Sequence, residues 1–106
     1  MYLKPHGFVI TMSTSGKSHP LSGNDISTPG LTIQTGSTNS TSVLVGDNIV
    51  SSSHYAWELP AGTCVSISAV DFGLSHAEFR LKDFYVISTT TGDTVSVGWV
   101  ERIENE

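Results

Sequence analysis

Apolar residues along this chain come in short bursts, set apart by clusters of Gly, Pro, Asn, Asp and Ser. Inside most bursts they alternate with polar residues, the period of a strand with one wet face and not of a helix. "FVITM" (Phe8 to Met12) follows a break at Pro5 and Gly7 and predicts the first strand. "LTIQT" (Leu31 to Thr35) and "SVLVG" (Ser42 to Gly46) predict the next two, with "GSTNST" as the turn between them. Gly46, Asp47 and Asn48 tolerate left-handed backbone and predict a turn, after which "NIV" continues as a short strand. Tyr55, Trp57 and Leu59 recur at a period of two and share one face, Ala56 and Glu58 the other. Pro60 and Gly62 close that strand.

"TCVSISAV" (Thr63 to Val70) sets Cys64, Ser66 and Ser68 against Val65, Ile67 and Ala69, again two distinct faces. "DFGLSHAEFRL" reads equally as a loop or a short helical turn. The clearest strands are "KDFYVIST" and "DTVSVGWVERI", joined through "TTGD". They predict a hairpin at the centre of the fold, with Val95, Val97 and Trp99 on its buried face. Phe84 and Tyr85 are neighbours on one strand and are expected on opposite faces, so at least one of them leaves the main core, toward a loop or a partner. About seven or eight short strands with turn signals every 8–12 residues predict an all-β chain: an antiparallel β-sandwich of jelly-roll-like outline.

One stretch departs from this pattern. Ser13 to Gly30 carries three glycines and two prolines among serines and has no core-forming period. Structureless stretches longer than about 15 residues are uncommon inside compact domains. The expectation is an extended arm that clasps a neighbouring subunit or lies on a larger surface, anchored by Leu21 and Ile26, its large apolar residues. The organisation is then an N-terminal strand over 1–12, the arm or loop over 13–30 and the sandwich body over 31–106. At 106 residues this makes a single domain.

Composition narrows the functions available. Ser and Thr make up about a quarter of the chain, which favours strands and turns over helix interiors. The net charge is -5, and the five basic residues, Lys4, Lys17, Arg80, Lys82 and Arg102, are scattered, so no nucleic-acid footprint is expected. No run approaches the about 20 apolar residues of a membrane span. Pro5 and Gly7 interrupt the position where an export signal would be continuously apolar. Cys64 is the lone cysteine, and its apolar surroundings predict a small buried hydrophobe.

Catalytic chemistry finds little to stand on. His6, His19, His54 and His76 lack metal-ligand spacing, so no metal is expected. Asp71, Glu78 and Asp83 are spread along turns, more like a solvated surface than a glycosidase pair. Ser53 beside His54 is not a nucleophile elbow. "NST" at Asn39 matches a glycosylation acceptor but reads as a plain turn. The expectation is a non-enzyme without catalytic residues or cofactor. Tyr55, Trp57, Phe84, Tyr85 and Trp99 remain as the candidates for recognition.

From Leu31 to Ile103 the order of signals resembles small virion structural proteins of tailed bacteriophages. The residues that carry the likeness are "VLVGDN", then "SSS", a strand closing with "LPAG", "VSIS", "DFYVIST" and "GDTVSVGWV". The chain departs at Tyr55-Ala56-Trp57, where such proteins often have a smaller Asn-Gly turn, and in the longer "DFGLSHAEFRLK". The resemblance implies a capsid decoration (cement) protein, made in the host cytoplasm and carried on the virion surface. Its partner would be the major capsid protein, and its own state a homotrimer, with no nucleic acid or membrane bound. The contact candidates are Leu21, Ile26, Tyr55, Trp57, Phe84 and Tyr85. A second class is a tail or fibre module that recognises a host-surface glycan, which exposed Trp and Tyr beside carboxylates would favour.

Overall fold

In the computed structural model, which describes residues 2–12, 16–73 and 77–103, ten strands succeed one another with no α-helix among the described residues. The first sheet runs β1-β10-β4-β7, made of Tyr2–Thr11, Thr94–Ile103, Gly30–Thr35 and Cys64–Ser68. The second runs β2-β9-β5-β6, made of His19–Pro20, Tyr85–Ile87, Val43–Gly46 and Trp57–Leu59. A small patch pairs β3 (Ser27–Thr28) with β8 (Phe79–Arg80), and short 3₁₀ turns cover Ala69–Phe72 and Leu81–Asp83. Every pairing between these strands is antiparallel. The expected antiparallel sandwich is therefore what the chain forms. It has ten strands rather than seven or eight because β2, β3 and β8 have two residues each, too few to show a period.

Alternation sorts the residues between core and surface. Leu31 and Ile33 of β4, Val95 and Val97 of β10 and Ile67 of β7 turn inward from the first sheet. Val43 and Val45 of β5, Leu59 of β6 and Val86 of β9 meet them from the second. Each such side chain contributes roughly 1.5–3 kcal/mol when fully buried. Trp99 is half-buried at the end of this core, stacked on His6 at 5.3 Å and edge-on to Phe8. The row behind Val97 and Ile33 faces solvent: Gly7, Gly98, Thr32 and Ser66 lie directly opposite one another across all four strands.

Several expectations are corrected. β9 and β10 are not a hairpin but belong to different sheets. β10 is flanked by β1 over its whole length and by β4 on its other side, which leaves no ladder for β9. The "TTGD" connection is thus a corner between sheets. β1 runs from Tyr2 through Pro5 and Gly7 because it is an edge strand, where a missing donor costs little. Asn48 to Val50 form a turn that tucks Val50 under the loop, not a strand. Lys82 belongs to a 3₁₀ turn, and Tyr55 precedes its strand. Cys64 is exposed, on the face it shares with Ser66 and Ser68.

The expected arm is also corrected where it is described. From Gly16 onward the segment is stitched to the body, with β2 on β9 and β3 on β8. Leu21 is 1% exposed and Ile26 packs against the core, so the chain uses its proposed anchors itself. Thr28 is buried, its hydroxyl 2.7 Å from the Val100 carbonyl, which joins this segment to β10 beyond the last residue paired with β4. Ser13 to Ser15 lie outside the described residues.

Candidate functional site

The hairpin of β5 and β6 carries a loop whose short polar side chains organise one another. Asp47 leads it: its carboxylate accepts the Ile49 N–H at 3.0 Å and lies 3.2 Å from His54 Nε2. The Val50 N–H closes on the Asp47 carbonyl, and Ser51 and His54 exchange both backbone hydrogen bonds at 2.9 and 3.1 Å. Gly46 makes the tight return possible, since a Cβ there would sit 3.1 Å from Val50 Cγ2 and 3.4 Å from the Tyr55 Cα. The Ala56 N–H then donates to the Val45 carbonyl at 2.7 Å and starts the return strand. The outcome is a fixed presentation of Tyr55 and Trp57.

Opposite them, the junction between the second 3₁₀ turn and β9 delivers Asp83 and Phe84. The two sides enclose an open cleft of about 440 Å³ lined by Asp47, His54, Tyr55, Trp57, Asp83 and Phe84, with Gly46 and Ala56 between. Trp57 and Phe84 rest against the core, and Phe84 meets Phe79 edge-on at 6.1 Å, so both are held in place from below. Tyr55 is 45% exposed. Among the described residues no Lys or Arg lines the cleft. The Ile49 N–H and then His54 hold the Asp47 carboxyl below its ordinary range against a small opposing effect of burial. Asp47 is therefore an oriented, ionised acceptor at neutral pH.

Three of the six contact candidates, Tyr55, Trp57 and Phe84, thus come together. Tyr85 stands elsewhere, opposite Gly46 and Pro20 in the second sheet, and Leu21 and Ile26 belong to the core and its margin. Asp47 and His54 were not expected as partners of the aromatics. The signal was present in "VGDN", where an Asp can accept from the N–H two residues on.

The remaining candidates are dispersed. His6 Nε2 lies 2.7 Å from Glu101, Glu78 pairs with Arg102 at 3.6 Å, and His19 Nε2 is shielded with no hydrogen-bond partner. His76 and the Asp71 side chain lie outside what is described. Among the described residues no three His, Cys, Asp or Glu side chains gather as a metal set. The Asn39 amide is engaged at both atoms by the Thr94 backbone, donating at 2.9 Å and accepting at 2.8 Å. Comparison with models of known families, with curated proteins and with solved structures returns no match to this chain.

Proposed function

We propose that this is a non-enzymatic structural protein of a bacteriophage particle, a capsid decoration protein that binds the outer shell and bridges neighbouring capsid subunits. One observation of the fold supports the reading beyond the sequence resemblance. The outer face of the first sheet is nearly uncharged and built of small side chains, with Gly7, Gly98, Thr32 and Ser66 in one row and Val9, Ser96, Gln34 and Cys64 in the next. Leu3, Val9 and Val70 stand exposed on or beside it. Small side chains let another protein's surface approach closely, and exposed apolar groups supply the gain on burial. A trimer that engages several capsid subunits at once needs only a modest contact per copy, because its second and third contacts are intramolecular.

Co-sedimentation of the full chain with empty capsids tests this, together with light scattering of the free protein. The expected outcome is saturable retention on the particles and a trimer in solution. Val9→Glu, a change on an exposed strand position, is expected to abolish retention while leaving the fold intact. A strict monomer at high concentration that is not retained on capsids would defeat the proposal.

A further inference from the structure

We infer that the cleft between the β5–β6 loop and the start of β9 binds an uncharged saccharide, with Tyr55 and Trp57 as the platform for a pyranose ring and Asp47 and Asp83 accepting its hydroxyls. The inference is independent of the capsid reading. Its volume of about 440 Å³ lies within the range of small-ligand sites, enough for one or two sugar rings. A pyranose ring has C–H groups on its faces and hydroxyls at its edge, so it needs flat apolar surface and rim acceptors together. The cleft brings both residue types together: Tyr55, Trp57 and Phe84 line it alongside Asp47, Asp83 and His54.

Charge decides between saccharide classes. With two aspartates and, among the described residues, no Lys or Arg lining the cleft, a sulfated or uronic glycan would be repelled. The rival of opposite sign is a cationic group over the aromatic faces, which tyrosine and tryptophan also attract. Two features favour the sugar. Asp47 is already engaged by the Ile49 N–H and by His54, which makes it an oriented acceptor and not a free countercharge. The cleft is also open, so a ring can stack on the aromatics with its other face in water. An ammonium group gains most where rings enclose it and strip its water.

The site is preformed. Trp57 and Phe84 are backed by the core, and the loop that carries Tyr55 is closed by its own hydrogen bonds, so little freedom is lost on binding. Titration of the full chain with neutral oligosaccharides of glucose, galactose and N-acetylglucosamine, followed by ¹H–¹⁵N spectra and tryptophan fluorescence, tests the proposal. Saturable shifts are expected at residues 46–47, 54–57 and 83–84, with the distant Trp99 signals unmoved. Tyr55→Ala is expected to weaken binding about tenfold or more. Asp83→Asn should weaken it less, and both variants should keep the dispersed spectrum of the folded chain. Tetramethylammonium and a heparin fragment serve as cation and anion probes at the same concentrations. No saturable response at the cleft to any of the three sugar series overturns the inference. So does a stronger response there to tetramethylammonium or to heparin than to every sugar.

Discussion

Asp93 carries the heaviest electrostatic duty of any single residue described. It is 4% exposed at the corner between the sheets, a depth at which a bare carboxylate is costly. The Ser40 and Thr41 N–H groups at 3.0 and 3.3 Å and the Thr41 and Ser88 hydroxyls at 3.0 Å each surround it. Burial pushes its carboxyl up, and these four donors outweigh burial, so its pKa falls below the ordinary value. A group depressed on folding stabilises fully above its unfolded pKa, and the contribution is lost as pH falls through the folded one. Stability should therefore decline below about pH 4. Asp93→Asn points donors at donors and is expected to cost about 2 kcal/mol at pH 7, a fall in Tm of about 10 °C. Melts between pH 4 and pH 2 should then show a shallower decline for the variant than for the native chain. Asp47 titrates in the same window in both proteins, so the difference belongs to Asp93. From sequence this residue was legible only as part of a turn, because the loop it holds lies some fifty positions upstream.

Strand elements were legible where their own residues carried the pattern. β4, β7 and β10 announce themselves through Leu31/Ile33, Val65/Ile67 and Val95/Val97, which alternate with polar or small neighbours, and β5 through the apolar run Val43 to Val45. Which strands pair is a different matter. "TTGD" is sound hairpin chemistry, yet β10 is claimed on both sides by strands distant in sequence. The segment from Gly16 to Gly30 was misjudged for a related reason: one Leu and one Ile look too few to order a chain in isolation. They suffice when a preformed core receives them and β9 and β8 supply backbone partners. The cleft was half legible, since Tyr55 and Trp57 share a face by period, whereas Asp83 and Phe84 arrive from another element. A test at this scale is Leu21→Ala, expected to cost about 2–5 kcal/mol in urea unfolding. Removal of Gly16 to Thr28 should leave no cooperative transition, since it deletes β2, β3 and Thr28 together. A shortened chain that unfolds with native stability would mean this segment is an appendage after all.

The whole molecule is elongated, 46 by 23 by 23 Å, and the two proposed binding features lie on different sheets. Val9 faces outward from the first sheet; Tyr55 belongs to the loop that ends the second. Their lining residues do not overlap, so a surface that grips a shell and a cleft that takes a sugar can be occupied at once. On the two proposals, the chain would attach to a particle by the outer face of its first sheet and hold a ligand at its loop end. The separation is testable with two substitutions. Val9 is 62% exposed and Tyr55 45%, so Val9→Glu and Tyr55→Ala should each shift stability by no more than about 0.5 kcal/mol. Val9→Glu is expected to lose capsid retention and keep saccharide binding, and Tyr55→Ala to do the reverse. The double variant should show both losses with no extra destabilisation, because the sites share no partners. If Tyr55→Ala instead releases the protein from capsids while Val9→Glu stays bound, the cleft is the shell contact and the outer face of the first sheet is not.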